Sequence, residues 1–371
     1  MAGIYLHIPF CKSRCIYCGF YSTTSLCERG RYVDALCGEL LCRKDYLRGE
    51  AVETIYFGGG TPSQLAVGDV EKLLRHIYNI YNVCDGAEIT IEGNPDDLTP
   101  DYLKALHAIG VNRLSIGVQT FSDVRLRFLN RRHSAGQAVL AVENARRAGF
   151  PNISIDLMFG FPSQTMGEWE SDVRQALSLG VQHLSAYSLM YEEGTKLGRM
   201  LDAGDVEEID DEVSLRMYEH LMDATAEAGF EHYEISNFAL PGMQSRHNSS
   251  YWHGIPYLGV GAGAHSYDGR DRCFNPDSLA AYLSGASPVV ERIAENERYD
   301  EFVFTGLRTS SGINLDELEE RFGGTYKDYC LANASSHISA GRLLRLGNVL
   351  KLSRRGLFVS NDVMSDLMWV E

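Results

Sequence analysis

The chain has no long apolar run and no excess of basic charge, and each absence excludes a class of protein. Its 371 residues contain no apolar stretch that could cross a bilayer, so at most a peripheral contact with a membrane is expected. The formal net charge is −16, which argues against nucleic acid as a partner because a phosphate backbone binds basic surfaces. The first residues also lack the basic segment and the cleavage site of a secretory signal.

A disulfide framework is also absent. The chain has nine cysteines, an odd number, and they do not show the spacing of a small disulfide-bonded domain. We interpret the six scattered ones as reduced packing residues: Cys27, Cys37, Cys42, Cys84, Cys273 and Cys330. Reduced thiols are typical of the cytoplasm, which is therefore the expected compartment.

The other three cysteines are closely spaced, at Cys11, Cys15 and Cys18. Three thiolates leave one iron of a four-iron cluster without a protein ligand and free to bind a small molecule. Pro9 and Gly19 bracket the segment, which suits a loop after a strand better than a buried helix. Two alternatives stay open from these residues alone: a zinc site, which prefers a fourth ligand, and three buried cysteines that bind no metal.

Short apolar runs alternate with amphipathic stretches in the first half of the chain. The runs are Ile4–Ile8, Thr54–Phe57, Glu88–Ile91, Arg113–Val118, Ile153–Met158 and His183–Leu189. This alternation predicts an α/β fold with parallel strands and helices between them. Because the units are fewer than the eight of a closed α/β barrel, we expect an open arc of strands.

Polar and glycine residues follow the points at which these predicted strands end. Gly58-Gly-Gly-Thr61 follows the second strand, and Glu92 lies at the end of the third. Gln119 ends the fourth strand, and Asp156 lies in the fifth. Active sites of such barrels lie at the carboxyl ends of the strands, so the sequence predicts that these residues share one site with the cysteine loop.

The spacing Cys11-x3-Cys15-x2-Cys18, with Tyr17 before the last cysteine, resembles the signature of the radical S-adenosylmethionine (SAM) superfamily. The flanking segments 5–10 and 19–22 narrow the resemblance to the branch that contains the oxygen-independent coproporphyrinogen III oxidases and the HemW heme chaperones. The resemblance implies a partial (β/α)6 TIM-like barrel of the radical SAM type. It also implies a [4Fe-4S] cluster on the three cysteines, SAM on the open iron and an electron donor for the cluster.

The same resemblance implies which residues bind SAM. They are Tyr5, Tyr17, Gly60, Thr61, Glu92, Gln119, Arg131 and Asp156. Thr61 stands where most of the superfamily has glutamate, in the segment that binds the SAM amino group. Arg131 would pair with the methionine carboxylate, although its neighbour Arg132 competes for that assignment. Asp156 would bind the ribose hydroxyls, and Tyr5 and Tyr17 match positions on the adenosine side.

A second motif, His247-Asn-Ser-Ser-Tyr251-Trp252, is similar to the heme-binding motif of the HemW family. The resemblance implies heme as a ligand, with His247 in a loop as an axial ligand of the iron. Tyr251 and Trp252 would then be aromatic walls for a flat ring. From the residues alone, a turn with buried aromatic side chains stays open as the alternative.

We expect three parts in the chain: a barrel core over 1–235, a mixed α/β extension over 236–290 that completes the site, and a small winged-helix-like domain over 291–371. In the last part, helices over 315–322 and 325–340 precede a predicted strand pair at 349–352 and 356–359.

Two functions of this branch compete: heme transfer to other proteins, and oxidative decarboxylation of coproporphyrinogen III. Three features favour the chaperone. Phe20 stands where the oxidases have a further cysteine, only ten residues precede Cys11, and the His247–Trp252 motif is intact. We therefore expect a heme chaperone with heme or porphyrin and heme-accepting proteins as partners. The oxidase, or another radical SAM tetrapyrrole enzyme, is the alternative.

Overall fold

The computed structural model describes residues 1–370. Parallel strands form the middle of one large sheet and pair with one another in chain order. They are β1 (Ala2–Ile8), β2 (Val52–Gly59), β3 (Val83–Gly93), β4 (Arg113–Gln119), β5 (Asn152–Phe159) and β6 (His183–Ser188). Each contains one of the predicted apolar runs, so the predicted parallel α/β architecture is confirmed.

Helices connect these strands, as the amphipathic stretches predict. They are α1 (Arg29–Cys42), α2 (Val67–Ile80), α3 (Pro100–Ala108), α4 (Asp123–Phe128), α5 (Ala135–Arg147) and α6 (Met166–Ser178). Local sequence fixes several of their first residues: Ser134 and Thr165 form capping boxes with Gln137 and Glu168 at the starts of α5 and α6. The apolar faces of the helices pack on the sheet and bury its outer side.

Side chains alternate along each parallel strand between the helices and the inside of the sheet. In β1, Ile4, Leu6 and Ile8 are fully buried in the main core, whereas Tyr5 faces a polar interior. Residues of β1 and β6, including Tyr5 and Ser185, line one interior cavity of about 170 Å³. In a flat sheet these strands would be roughly 24 Å apart, at about 4.8 Å per strand. The sheet must therefore curl strongly around this interior.

Further strands extend the sheet on both sides. The chain continues through α7 (Lys196–Asp202), α8 (Asp211–Glu227), β7 (Glu231–Glu234), β8 (Asn237–Ala239), α9 (Arg246–Trp252), β9 (Tyr257–Val260), β10 (His265–Tyr267), β11 (Asp271–Phe274), α10 (Leu279–Leu283) and β12 (Val289–Arg292). The sheet order is β12-β11-β10-β9-β1-β2-β3-β4-β5-β6-β8-β7, and β9 is parallel to β1. Within residues 1–370 the end strands β12 and β7 do not pair with each other, so the predicted open arc is confirmed.

The C-terminal part has its own core and a small antiparallel sheet in the order β13-β15-β14. Its elements are α11 (Glu295–Arg308), β13 (Ile313–Asn314), α12 (Leu315–Phe322), α13 (Gly324–Ser339), β14 (Leu343–Leu346), β15 (Val349–Leu352), α14 (Arg354–Phe358) and α15 (Ser360–Leu367). The helices followed by a β hairpin are as predicted for a winged-helix-like module.

The predicted strand at 356–359 is wrong, because this segment lies mostly in the short helix α14. Ser353 caps that helix, since its Oγ accepts a hydrogen bond from the Gly356 N–H at 3.0 Å. The partner of β15 in the hairpin is instead β14, which precedes it. Among residues 1–370 no helix combines the length and the apolar character that a bilayer crossing requires.

Candidate functional site

The three closely spaced cysteines lie in the loop between β1 and α1, at the carboxyl end of the parallel strands. Cys11 is buried, and Cys15 and Cys18 are half-buried. All three line one cavity of about 430 Å³, which we call the cluster cavity. Burial raises the pKa of the Cys11 and Cys18 thiols, so neither ionises readily without a positive partner.

Two donors on neighbouring loops point at the cysteine sulfurs. Thr61 Oγ1 lies 3.3 Å from Cys11 Sγ, and Arg131 Nη1 lies 3.4 Å from Cys15 Sγ. The cysteine loop is anchored by backbone hydrogen bonds, among them the Cys11 N–H to the Thr23 carbonyl at 2.9 Å and the Ile16 N–H to the Leu129 carbonyl at 3.2 Å. Contacts with neighbouring loops therefore fix the position of the cysteine loop and of its thiols.

The same cavity fits an iron–sulfur cluster better than a single ion. Within residues 1–370, no three His, Cys, Asp or Glu side chains converge tightly enough to hold one metal ion. Zinc needs all of its ligands within about 2.3 Å of one point, whereas a four-iron cluster spreads its cysteine ligands over a larger volume. Three thiols around a cavity of about 430 Å³ therefore match the cluster and leave space for a second ligand.

The glycine segment after β2 allows the backbone to approach the cysteine loop. A Cβ atom on Gly60 would lie 2.8 Å from the Pro9 carbonyl carbon and 3.0 Å from Cys11 Sγ. Gly59 has a φ of +107°, and a Cβ there would meet the His7 ring at 2.6 Å. Both positions therefore require glycine, and the backbone at Gly60 forms part of the cavity wall.

Two carboxylates lie at the base of the cluster cavity, on β3 and β5. Tyr56 Oη donates to Glu92 Oε1 at 2.8 Å, and Ser115 Oγ donates to Asp156 Oδ1 at 3.3 Å. Burial raises the pKa of Glu92 to about 7 and also raises the pKa of Asp156. Glu92 is therefore poised to change charge near neutral pH.

The structure distinguishes the contacts of the two adjacent arginines, Arg131 and Arg132, either of which could bind the methionine carboxylate on sequence grounds. Arg131 donates through Nη2 to the side-chain oxygen of Asn94 and to the Gly117 carbonyl, and it contacts Cys15. Arg132 instead pairs with Asp96 at 2.6 Å and with Asp97 at 3.2 Å. Both line the cluster cavity, but only Arg131 contacts a cysteine sulfur.

Seven of the eight residues predicted to bind SAM line the cluster cavity: Tyr17, Gly60, Thr61, Glu92, Gln119, Arg131 and Asp156. The eighth, Tyr5, lines the adjacent interior cavity of about 170 Å³, which shares Glu92 and Asp156 with the cluster cavity. Tyr5 therefore lies deeper in the barrel than the residues that line the cluster cavity alone.

His247, Tyr251 and Trp252 lie at the other end of the barrel. They belong to helix α9 and not to the predicted loop. The Glu88 carboxylate of β3 accepts hydrogen bonds from the N–H groups of Arg246 and His247, both at 3.1 Å, and so binds the start of the helix. A Cβ atom on Gly3 would lie 3.2 Å from the His247 ring, which places that ring beside the start of β1.

The His247 ring is buried and both of its nitrogens have partners. Nδ1 lies 2.8 Å from Thr54 Oγ1, and Nε2 lies 2.8 Å from Tyr251 Oη. Burial lowers the pKa of His247 to about 3, so the ring is neutral. It stacks on Tyr56, with the ring centroids 5.0 Å apart. In this arrangement His247 supports the barrel interior and presents no free nitrogen to a ligand.

Tyr251 and Trp252 border a large cleft of about 1240 Å³ between the barrel and the C-terminal part. We call it the aromatic cleft after the half-buried aromatic side chains in its walls: Tyr251, Trp252, Tyr257, Tyr267, Phe302, Phe304 and Phe322. Charged side chains line it as well: Arg272, Glu295, Arg298, Asp300, Glu301, Glu317 and Arg321. Arg308 covers the Trp252 ring at 4.7 Å from its centroid. The motif therefore lies between the barrel interior and this cleft.

Arg113 is a polar residue inside the barrel that was not expected from the sequence, unlike Glu92 and Asp156. Arg113 is 2% exposed and lines the interior cavity together with Glu92 and Asp156. Its charge opposes the rise in the pKa values of both carboxylates. The sequence feature that could have identified Arg113 is its charge at the start of an apolar strand. Side chains alternate between the two faces of a strand, and this position belongs to the inner face.

The chain is similar to known proteins in sequence and in fold. Residues 5–176 match the radical SAM superfamily, and residues 293–359 match the HemN C-terminal domain. The chain is 35% identical to "Heme chaperone HemW" of Lactococcus lactis, over 98% of this chain and 96% of that protein. It is 34% identical to the protein of the same name from Bacillus subtilis, over 98% of both.

A mitochondrial protein from Bos taurus, "Radical S-adenosyl methionine domain-containing protein 1", is 33% identical over 99% of this chain and 87% of its own length. Among solved structures, the coproporphyrinogen III oxidase HemN of Escherichia coli superposes with a TM-score of 0.85, over 99% of this chain and 90% of that one. Its identity is 21%, so it shows a shared fold. With full-length identities of this size to its curated relatives, the chain belongs to the radical SAM superfamily and, within it, to the HemW family.

Proposed function

We propose that this chain is a heme chaperone, which binds heme and delivers it to acceptor proteins, and that it holds a [4Fe-4S] cluster and SAM in the cluster cavity. The observation that carries the proposal is the distance between its two sites. The cysteine loop follows Ile8 at the end of β1, whereas His247 lies beside Gly3 near its start. Five residues of strand separate these points by roughly 16 Å.

This separation favours heme transfer over porphyrinogen oxidation. A radical SAM enzyme needs its substrate next to the SAM carbon that reacts, and therefore in the cluster cavity. In this chain the aromatic cleft lies near the start of β1, since Tyr257 pairs with Gly3. The motif lies between this cleft and the interior cavity, in which His247 and Tyr251 join Glu92 and Asp156. A large flat ligand therefore has space of its own in the cleft. A binding site away from the cluster suits heme that is bound and then transferred to another protein.

Residues of the cluster cavity support distinct roles toward SAM. A cluster with one open iron, when bound, supplies one-electron chemistry to the sulfonium of SAM. Arg131 would hold the methionine carboxylate, Glu92 would accept from the ammonium group, and Asp156 would bind the ribose hydroxyls. The half-buried cysteine loop, with Phe20 69% exposed beside it, is the surface at which an electron donor would bind. We also propose a reducing compartment such as the cytoplasm, because the six scattered cysteines lack the spacing of a disulfide framework.

Heme binding without porphyrinogen conversion tests the proposal. We expect anaerobically reconstituted protein to bind ferric heme, with a new heme absorption band in the difference spectrum against heme-free protein. With SAM, a reductant and coproporphyrinogen III, we expect no formation of protoporphyrinogen IX. Clear conversion would favour the oxidase, and absence of heme binding would contradict the chaperone.

SAM affinity should depend on pH through Glu92. Its pKa of about 7 means that the carboxyl group is largely protonated at pH 6 and ionised at pH 8. Only the ionised form attracts the positively charged ammonium of SAM, so affinity should rise between these pH values. The ionisable groups that line the interior cavity with it are Tyr5, Tyr56, Arg113, Asp156, Tyr187, His247 and Tyr251.

Equilibrium SAM binding to the reconstituted protein from pH 5.5 to 8.5 measures this dependence. Glu92→Gln should bind SAM more weakly at pH 8 and should lose the rise in affinity. Glu71→Gln, an exposed carboxylate on α2, is the matched control and should keep the wild-type profile. A Glu92→Gln variant that retains the same rise would assign the titration to another group.

A further inference from the structure

We propose that the β14–β15 hairpin of the C-terminal part is a docking surface for a lipid bilayer that contains anionic lipids. We call this segment, residues 341–355, the wing; it runs from the turn after α13 into the start of α14. The residues that line the cluster cavity and the interior cavity all come from the barrel. The wing is therefore a surface in addition to those cavities, and the proposal does not depend on the heme function.

The charge of the wing is opposite in sign to that of the whole chain. The wing contains five Lys or Arg residues and no Asp or Glu, whereas the net charge of the chain is −16. Arg354 pairs with Asp223 of α8. Within residues 1–370 the other four have no ion-pair partner: Arg342, Arg345, Lys351 and Arg355. Their charge is therefore available to an anionic partner.

The wing also exposes aliphatic side chains. Leu344 is 41% exposed and Leu346 is 57% exposed. Their cross-strand partners in β15 are Lys351 and Val349, so all four side chains point to one face of the hairpin. The leucines on the opposite face are buried in the core of the C-terminal part: Leu343, Leu350 and Leu352. The outer face therefore combines two exposed leucines with a free cation.

Carboxylates next to the wing leave this positive charge in place, because they already have partners. They lie on α8, α12 and α15, and their contacts are Asp223 with Arg354, Asp316 with Asn348 and Lys327, Glu317 with Arg321, Glu319 with Lys327, and Asp366 with His337. None of these contacts uses the four unpaired cations of the wing. Those cations are therefore free to bind lipid phosphates.

The combination of leucines and cations favours a bilayer over three other partners. A second copy of the chain would place the same positive charge against the wing. Nucleic acid would contact the cations, but its phosphates gain nothing from exposed leucines. Protein interfaces obtain most of their binding energy from Trp, Tyr and Arg, and the wing has no aromatic residue. At an anionic membrane, leucines enter the interface while Lys and Arg bind the headgroups.

Sedimentation of the reconstituted full-length protein with vesicles tests the cations. Vesicles of phosphatidylcholine with about 30% phosphatidylglycerol should bind the protein, and vesicles of phosphatidylcholine alone should not. The double variant Arg345→Ala, Lys351→Ala should bind about 25-fold more weakly, since each basic residue near an anionic membrane contributes about fivefold in affinity. The double variant Arg75→Ala, Lys104→Ala is the matched control, because it removes two exposed cations from α2 and α3. It should bind as wild type does.

A second double variant, Leu344→Ser, Leu346→Ser, tests the aliphatic contribution. We expect binding at least about tenfold weaker at unchanged charge, because two leucines lose their burial in the membrane interface. Leu140→Ser, which replaces a leucine on α5 that is 49% exposed, is the matched control and should bind as wild type does. Thermal unfolding of each variant distinguishes loss of the surface from loss of the fold.

Two results would overturn the proposal. One is equal binding to both kinds of vesicle, and the other is wild-type vesicle binding in both double variants of the wing. Binding of duplex DNA, or self-association through the wing, in place of vesicle binding would assign the surface to another partner and would also overturn it. The protein carries no heme in these measurements, so a negative result would contradict the membrane surface and leave the proposed heme function untouched.

Discussion

Replacing Cys15 with alanine is expected to remove nearly all of the iron and sulfide that the anaerobically reconstituted wild-type protein incorporates, which should be about four irons per chain. Cys15 is the middle cysteine of the loop and the one that Arg131 contacts. Two remaining thiols cannot hold a cluster whose fourth iron has no protein ligand. SAM binding should be lost together with the cluster, because the open iron is one of its attachment points.

The matched control is Cys42→Ala, which removes an exposed thiol at the end of α1. It should retain the iron content, the sulfide content and the SAM affinity of wild type. Thermal unfolding of the cluster-free proteins should be similar in all three, since Cys15 is only half-buried and packs against a loop. Wild-type iron content in Cys15→Ala would mean that the cluster is held by other groups.

Most of the residues that the sequence singled out for SAM line the cluster cavity, although other lining residues, such as Tyr187 and Met158, were not expected there. Site residues of parallel sheets lie at the carboxyl ends of the strands. They can be recognised from the neighbouring sequence, because each lies near the end of an apolar run. Thr61, Glu92, Gln119 and Asp156 come from different strands, and all line the same cavity as the cysteines. Their roles toward SAM remain predictions.

The polar interior of the barrel was harder to predict from the sequence, although polar and apolar residues do alternate along the strands. Ser154 and Asp156 alternate with Ile153, Ile155 and Leu157 in β5. Asp156 was assigned to the site, but the segments were otherwise interpreted as apolar runs, so Ser154 and Arg113 were not assigned to an inner face. The partners of those residues come from other strands, such as Tyr56 on β2 for Glu92 on β3, and no spacing within one strand specifies them.

The helix around His247 depends on a contact that sequence reasoning could not find. The segment is rich in Asn and Ser, which usually favour turns. Ser245 caps it locally, with its Oγ 3.3 Å from the Asn248 N–H. The Glu88 carboxylate, more than 150 residues earlier in the chain, accepts from the first N–H groups of the helix. This long-range contact makes the segment helical and buries the histidine that was expected to face a ligand.

The second large effect should come from Arg131. We expect Arg131→Lys to weaken SAM binding about a hundredfold while the cluster still assembles, since lysine keeps the charge but loses one of the two hydrogen bonds to the carboxylate, and a hydrogen bond to a charged group contributes about 1.5–3 kcal/mol. The guanidinium donates to Asn94, to the Gly117 carbonyl and toward Cys15 at once, and is thereby fixed in direction. A lysine ammonium has no planar fork, so it cannot keep these contacts and also present two parallel donors to a carboxylate.

Arg132→Lys is the matched control, because it changes the adjacent residue in the same way within the same cavity. Arg132 is held by Asp96 and Asp97 and makes no contact with a cysteine, so its variant should bind SAM within about threefold of wild type. Iron content, equilibrium SAM affinity and the EPR signal of the reduced cluster with and without SAM distinguish the cases. A SAM-induced change in that signal should persist in Arg132→Lys and be lost in Arg131→Lys. The reverse pattern would transfer the carboxylate-binding role to Arg132, and equal, small effects would show that neither arginine holds the methionine carboxylate.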